Sequence, residues 1–414
     1  MKKIYYIIMA LTGIWVTFLI SCTEAPLGQT ATDKIPPSPL MNVQVESYPG
    51  GAKIIYDFPD ETDISYVKGE FMFQGAKKVV RASVYDNFLL VDGLPSVDPV
   101  EITLTLVDHS ENSSEPVVKT FTPDKPPHES IFESIIMSRD WGGVKLNWDN
   151  PLGIEIRITF FVADSTGSFG NSRVWYSTAK VGEYSFRGYN SVEQKFGVQI
   201  TDKWGNVSGV KDTVIVPLFE KMLNKSLIKR RALPWDNTSS QGGQNFEFMF
   251  DGNKLATGNL SWHTQENQDP AAMGFTTPVL FTIDLGVDAI LNRLLWWQGR
   301  WADYFLYGHH NPRTFEVWGT MEIPSGKPDV YWREDWKQDW TLIADCEVIK
   351  PSRTPLGELT NEDRAQADAG HEFYLQNVKV RYLRFSVTST WIGDKDNTVT
   401  IHEIEPWGND GSND

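Results

Sequence analysis

The chain has 414 residues, a formal net charge of −16 and only two cysteines. The acidity argues against nucleic acid as a partner, because phosphate binding needs clustered Lys and Arg, and two cysteines are too few for a disulfide framework or a thiolate metal cluster. The length predicts roughly two to four domains.

The first 21 residues have the pattern of a secretory signal peptide. Two lysines precede an apolar run from Ile4 to Ile20, which is short for a mature membrane helix and ends at small residues. Leu-Ile-Ser-Cys at its end resembles a bacterial lipobox, which implies lipidation of Cys22 and cleavage before it; ordinary secretion is the alternative. Residues 22–35 are then expected to form a polar, extended tether.

A tandem repeat covers the first half of the chain. The pattern Gly-Gly-x-Lys-apolar-x-aromatic-Asp-x-Pro occurs at residues 50–59 and again at 142–151. A second motif, Asp-x-x-x-Asn-x-Ser, begins at Asp108 and again at Asp202, with nearly the same separation. Two motifs that recur together predict two copies of one domain, over residues 36–122 and 123–217.

Each copy has the size and the alternating strands of an immunoglobulin-type sandwich. The pair resembles fibronectin type III domains, which implies that the aromatic residues of the Gly-Gly strands, Tyr56 and Trp148, fill the two cores. Such modules either bind ligands or act as spacers. We expect spacers, because fold does not imply function and neither copy holds a convergent set of titratable residues.

Residues 218–234 are amphipathic and charged, which predicts a short linker helix that ends at Leu233-Pro234. Beyond it the sequence alternates again and predicts a third β domain over residues 235–412. Most of the 16 Trp residues lie in this second half.

Five motifs of the third domain occur in a characteristic order. They occupy residues 250–257, 281–286, 311–319, 380–385 and 401–405. Together they resemble the discoidin, or coagulation factor V/VIII type C, domain, a galactose-binding-like jelly roll. The predicted fold class is therefore all-β: two tandem immunoglobulin/fibronectin III-like sandwiches followed by a discoidin-like jelly-roll sandwich. The whole arrangement resembles the surface lipoproteins of Bacteroidetes glycan-utilisation systems.

The discoidin resemblance also implies a structural Ca²⁺. Carried over onto this sequence, it nominates the oxygen ligands Asp251, Asn253, Thr257 and Glu403. Calcium prefers such hard oxygen ligands, backbone carbonyls included. The alternative is that Asp-Gly-Asn is a plain turn, which its composition favours.

The loop over residues 298–311 predicts a glycan site. Sugars stack their C–H faces on aromatic rings while their hydroxyl groups need fixed polar partners, and loops on a rigid sandwich supply both. The candidate glycan-binding residues are Trp262, His263, Arg300, Trp301, Tyr304, Tyr307, His309 and Trp391. Each Trp has the alternative of packing over the core, as large aromatic residues usually do. Trp318 and Trp340 lie in predicted strands and are assigned to the core.

Other polar residues predict structural roles. Arg381 and Arg384 lie on one strand; either is able to bind a ligand, but a pair with a carboxylate such as Asp284 is the commoner outcome. The adjacent His309 and His310 point apart in an extended chain, which disfavours a metal pair. Cys346 has no catalytic partner pattern and is expected to be buried and inert.

The sequence contains no G-x-S-x-G, H-E-x-x-H or phosphate-binding glycine loop. Its many acidic residues leave a glycosidase carboxylate pair open, although nothing indicates the deep cleft that such a pair needs. We therefore predict a non-catalytic lipoprotein, anchored in the outer membrane at the cell surface, that captures glycans for polysaccharide utilisation. The alternative is an adhesin or an assembly partner of an outer-membrane importer.

Overall fold

A computed structural model describes residues 33–265, 278–393 and 398–412. The predicted signal peptide, the lipidation residue Cys22 and most of the tether lie outside these ranges. The chain divides into two compact units. The first unit includes the described residues up to Ile136, Leu146–Tyr184 and Lys195–Thr213, and the second includes Met137–Lys145, Ser185–Gln194 and the residues from Val214 onward. Over the described ranges, every helix is too short or too polar to span a bilayer.

The first copy of the repeat consists of two antiparallel sheets. Its strands are β1 (Met41–Tyr48), β2 (Gly51–Asp57), β3 (Ile64–Phe73), β4 (Ala76–Ser83), β5 (Phe88–Asp92), β6 (Val100–Asp108) and β7 (Val117–Phe121). The strand orders are β1-β2-β5 and β4-β3-β6-β7. Alternate side chains from both sheets, including Ile54, Val67 and Leu104, are fully buried and form one apolar core.

The second copy repeats this arrangement after a short helix, α1 (Pro127–Ser134). Its strands are β8 (Ile136–Asp140), β9 (Gly143–Asp149), β10 (Ile156–Ala163), β11 (Phe169–Ser177), β12 (Val181–Arg187), β13 (Gln194–Asp202) and β14 (Lys211–Ile215). They form sheets of order β12-β9-β8 and β11-β10-β13-β14. Ile158, Phe160 and Val198 of the four-stranded sheet are fully buried.

The two Gly-Gly strands have the same environment. β2 and β9 show an identical alternation of buried and exposed residues, and Tyr56 and Trp148 are both buried, as predicted. Gly50 and Gly142 adopt φ angles of +69° and +61°, which residues with a Cβ atom rarely adopt. Both copies therefore share the glycine that precedes the strand as well as the buried aromatic residue within it.

The second repeated motif is a turn held by its own side chains. Asp108 Oδ1 accepts a hydrogen bond from the Asn112 amide at 2.8 Å, and Asp202 Oδ1 accepts one from the Asn206 amide at 2.9 Å. In each copy the hydroxyl of the motif's serine accepts a further bond from a strand amide at 2.9 Å. Such Asx turns explain why these residue types recur at this spacing.

The predicted linker helix over residues 218–234 is wrong. The segment forms β15 (Lys221–Met222), a 3₁₀ turn and β16 (Lys229–Arg230), and these strands pair with strands of the third domain. Leu223 and Ile228 are buried in that domain's core. Burial of these two residues overrides the amphipathic helical pattern, because local propensity is a weak determinant beside tertiary packing.

The C-terminal residues form a nine-stranded sheet around the largest core. Besides β15 and β16, its strands are β17 (Trp262–His263), β18 (Val279–Gln298), β19 (Pro312–Thr320), β20 (Thr341–Glu347), β21 (His371–Tyr374), β22 (Lys379–Thr390) and β23 (Thr400–Asn409). Two helices are inserted, α2 (Asp329–Glu334) and α3 (Asn361–Ala369). β18 pairs with β22 along its first half and with β23 and β21 along its second, so it connects both parts of the sheet. The all-β fold class is confirmed.

Most of the Trp excess is structural. Trp296 stacks on Phe315 with ring centroids 4.4 Å apart, inside the main core. A second cluster contains Trp332, Trp336 and Trp340, against which Trp318 packs, so the core assignment of Trp318 and Trp340 is confirmed.

Candidate functional site

A cavity of about 320 Å³ opens in the C-terminal domain, within the second unit. Its lining includes Gln241, Gln244, Asn259, His263, Trp301 and Phe305. The volume lies in the range of small-ligand sites. Two of the predicted residues, His263 and Trp301, thus meet at one cavity although they are far apart in the sequence.

Aromatic residues of the β18–β19 loop form one wall of this cavity. Trp301 is 56% exposed, and its ring meets Phe305 edge to face with centroids 5.6 Å apart. His309 stacks on Phe305 at 3.9 Å, and Tyr304, which is 57% exposed, packs beside the same ring at 4.9 Å. The loop therefore presents an accessible indole supported by other rings.

Backbone geometry and one buried cation shape this loop. Tyr307 and His309 have φ angles near +50°, in the left-handed region, which turns the chain back towards β19. The Arg300 side chain lies 2.6 Å from Asp368 and 3.8 Å from Asp303. Arg300 is buried and paired with carboxylates, which positions the loop, and its role in glycan binding stays a prediction.

The opposite wall is polar and uncharged. The segment around Gln241 and Gln244 is tied to β17, because the Gln241 amide donates to the His263 carbonyl at 2.9 Å and the His263 amide donates to Gln244 at 3.3 Å. Asn259, Ser261, Thr400 and two glycines, Gly242 and Gly258, complete the lining. Among the residues that the structure describes, the lining contains no Lys, Arg, Asp or Glu.

Three predicted aromatic residues belong to the core. Trp262 is fully buried and packs edge to face on Phe281 at 5.1 Å. Tyr307 is also buried: its hydroxyl donates to the Asp363 carbonyl at 3.2 Å, and burial raises the pKa of this phenol. Trp391 is partly buried and meets Tyr307 edge to face at 5.5 Å. Burial leaves Trp262 and Tyr307 no surface for a glycan, which corrects their predicted contact, whereas the contact predicted for the partly buried Trp391 stays a prediction.

The two adjacent histidines contact different rings. His309 stacks on Phe305, whereas His310 lies 5.5 Å from the ring of His263. In the described ranges no group of three or more His, Cys, Asp or Glu side chains is arranged to hold a metal ion. The two rings diverge as expected, although His309 lies in a left-handed turn rather than in an extended chain.

The predicted calcium ligands differ in exposure, and a lysine ammonium group lies against their glutamate. Asp251 and Thr257 are exposed, whereas Glu403 is fully buried. Asp251 Oδ1 accepts from the Asn253 amide at 2.8 Å, as in a plain turn. Glu403 Oε1 lies 2.6 Å from Lys225 Nζ, and Oε2 accepts from the Gly252 amide at 3.0 Å. Burial raises the pKa of Glu403 to about 7, although Lys225 and the amide oppose this shift. The residues present do not fit a calcium ion, because the Lys225 ammonium group and the Gly252 amide already bind the two carboxylate oxygens of Glu403.

Other predicted structural residues are where the sequence places them. Arg381 donates to Asp284 at 3.1 Å, which confirms that pair. Arg384 is fully buried, bonds to Asp236 at 2.8 Å and lies 4.5 Å from the ring of Trp336. Cys346 is buried, and burial raises the pKa of its thiol.

Sequence reasoning missed the polar wall. The missed lining residues are Gln241, Gly242, Gln244, Gly258, Asn259, Ser261, Phe305 and Thr400. A signal existed in the polar run at residues 237–244, which contains Gly242 and Gly243 at positive φ. Only the pairing of β17 with β23 brings this run towards the Trp301 loop.

Three family models match consecutive parts of the chain. They cover residues 37–123 (DUF4959), 124–226 (DUF5126) and 250–408 (DUF5000), and each is described as a domain of unknown function. No curated protein matches the sequence.

Several solved structures are similar to the chain. A SusE-like protein is 27% identical, and the match covers 68% of this chain and 99% of that one at a TM-score of 0.42. A CBM32 module of a family 31 glycoside hydrolase from Clostridium perfringens is 15% identical over 45% of this chain and 95% of its own, at a TM-score of 0.32. A family 89 glycoside hydrolase from the same organism is 11% identical over 44% of this chain and 14% of its own, at a TM-score of 0.25.

Proposed function

We propose that this protein is a non-catalytic surface lipoprotein that binds an uncharged glycan in the Trp301 cavity. The observation that carries the proposal is the pairing of an exposed indole with a wall of amide, hydroxyl and imidazole groups. A pyranose ring has apolar C–H faces and a rim of hydroxyl groups. An aromatic wall facing neutral hydrogen-bonding groups complements both.

The charge distribution favours a neutral ligand. Arg300, the cation nearest to Trp301 in the chain, is paired with Asp368 and Asp303. The described lining offers no cation to a uronate or a sulfate, and a desolvated anion without a partner is costly. The net charge of −16 also repels polyanions at longer range.

The same lining supports a binding role rather than hydrolysis. Glycosidases place two carboxyl groups about 5–10 Å apart across the scissile bond. The described cavity wall has neither an Asp nor a Glu. Bound sugar would therefore meet groups that hold it without a general acid or a nucleophile.

We further propose that Cys22 carries the lipid anchor and that the sandwiches at residues 36–122 and 123–217 act as spacers. A single cavity of this kind binds a sugar weakly. Many copies anchored in one outer membrane raise the effective affinity for a polymer that offers many sites. The arrangement would deliver captured polysaccharide to an importer at the cell surface.

Affinity electrophoresis through gels that contain neutral polysaccharides tests the proposal. We expect the wild-type protein to be retarded by at least one of them. Trp301→Ala should weaken this binding about fivefold or more, since an aromatic contact contributes on the order of 1 kcal/mol or more. Trp175→Ala is the matched control, because Trp175 is a partly exposed Trp of the second sandwich. Equal retardation of wild type and Trp301→Ala would contradict the proposal.

A second candidate is docking to a protein partner through the second sandwich. Trp175 is 39% exposed and stacks on Tyr184 with centroids 3.9 Å apart, and Tyr176 is also exposed. Exposed aromatic residues are enriched at protein interfaces. If this candidate holds, Trp175→Ala lowers the recovery of an outer-membrane partner in pull-downs while leaving glycan retardation unchanged.

A further inference from the structure

Two buried carboxylates lie side by side on the last strand. Glu403 and Glu405 of β23 are almost completely inaccessible to solvent. Their spacing of two residues places both side chains on the same face of the strand. Two like charges in such a place are unfavourable unless cations neutralise them.

Two lysines supply this neutralisation. Lys225 Nζ lies 2.6 Å from Glu403 Oε1 and 3.3 Å from Glu405 Oε1, so one ammonium group bridges both carboxylates. Lys254 Nζ lies 2.8 Å from Glu405 Oε1 and is considerably more exposed than Lys225. The cluster therefore combines two carboxyl groups with two ammonium groups, with Lys225 as its inner cation.

The backbone holds Lys225 in place. The two residues of β15, shortly before Lys225, pair with β23. The Leu223 amide then donates to the Pro406 carbonyl at 2.9 Å. Leu223 is fully buried, and Asn224 caps the 3₁₀ turn by accepting from the Ser226 amide at 3.1 Å. The ammonium group thus comes from a fixed segment rather than from a mobile surface chain.

The loop predicted to bind calcium closes over this ammonium group. Gly252 has a φ of +85°, and its amide donates to Glu403 Oε2 at 3.0 Å. A Cβ atom at this glycine would lie 3.6 Å from Lys225 Nζ. Glu403 therefore connects three separate parts of the chain: the segment around Lys225, the loop at Gly252 and the last strand.

We propose that Lys225 is a built-in cation that replaces the structural calcium implied by the discoidin resemblance. Its ammonium group joins the segment before the domain to the loop and the last strand, which is the task the metal would otherwise perform. The domain consequently needs no calcium for stability. Residues 221–230 are then an integral part of the C-terminal domain rather than a linker. It is independent of glycan binding.

Thermal unfolding of the full-length protein tests this inference. The wild-type melting temperature should differ by no more than about 1 °C between EDTA and millimolar calcium, because Lys225 already lies against Glu403. Lys225→Met, which keeps the aliphatic stem but removes the charge, should lower the melting temperature by roughly 5–15 °C. Lys254→Met is the matched control with a small expected effect, since Lys254 is more exposed.

A double variant separates charge neutralisation from packing. Lys225→Met combined with Glu403→Gln should recover more than half of the lost melting temperature, because no uncompensated carboxylate then remains at Glu403. Unchanged stability of Lys225→Met would overturn the inference. So would a rise of several degrees for the wild-type protein in calcium. If Lys225→Met does not fold, calorimetric titration of wild type with calcium decides, and binding tighter than about 1 mM refutes the inference.

Discussion

The Trp301 cavity and the charged cluster around Lys225 belong to the same domain, yet they use opposite chemistry. The cavity presents accessible rings and neutral polar groups, whereas the cluster buries two carboxyl groups next to two lysines, of which Lys225 is the more buried. The sequence predicted ligand-binding residues in both places: a glycan site from the composition of the loop, and a calcium site from the discoidin resemblance. The difference shows that accessibility separates a recognition surface from a structural connection, even when both are rich in polar residues.

The largest expected loss of stability tests the cost of an unpaired buried charge, and it concerns Asp236. Its carboxylate pairs with the buried Arg384, and Asp236→Ala would leave the guanidinium group between aromatic rings without its counter-charge. We expect the free energy of unfolding to fall by about 3–5 kcal/mol in urea titrations. The matched variant Asp284→Ala breaks the more exposed pair with Arg381 and should cost less than about 1 kcal/mol. Equal losses would contradict the distinction between buried and exposed charge.

A buried imidazole offers the second test. Burial lowers the pKa of His371 to about 4, from 6.5. The unfolded chain therefore binds a proton more readily than the folded one, so this contribution to stability is present above pH 6.5 and is lost as the pH falls towards 4. The loss should approach roughly 3 kcal/mol. His371→Gln should flatten this part of the stability profile in urea titrations at several pH values, while His309→Gln should not. An unchanged profile in His371→Gln would be evidence against the assignment.

The smallest expected effect concerns selectivity of the cavity. Gln244→Lys adds a cation to a neutral wall and should favour a carboxylated derivative of the bound polysaccharide over the parent about two- to fivefold, which is the size of an exposed ion pair. The ratio of the two dissociation constants measures this change. Gln244→Met, with similar size and no charge, serves as control. An equal shift in both variants would show that the neutral character of the wall does not determine selectivity.

Much of the architecture follows from local patterns. The Gly-Gly strands and the Asp-x-x-x-Asn turns predicted two related domains, because strand alternation and turn chemistry act over only a few residues. The prediction of a helix before the third domain was wrong because this segment packs against strands that are distant in the sequence. Leu223 and Ile228 serve the core of a domain whose other strands come much later in the chain.

The candidate site was predictable only in part. The aromatic loop with Trp301 and Tyr304 could be identified because aromatic and polar residues lie close together between two predicted strands, and both rings are exposed. Trp262 and Tyr307 are aromatic residues of the same types with similar neighbours in the sequence, but their side chains are buried. Sequence pattern does not distinguish an indole that faces solvent from one that faces a core when both lie near strand ends.

The sequence by itself determined the all-β class, the internal repeat and the loop that carries Trp301. Each of these depends on residues that lie close together along the chain. The tertiary structure decided which polar residues face Trp301 and which cation meets Glu403. Gln244 and Lys225 reach these positions through strand pairing across many residues, and such pairing leaves no periodic signal in the segments that it joins.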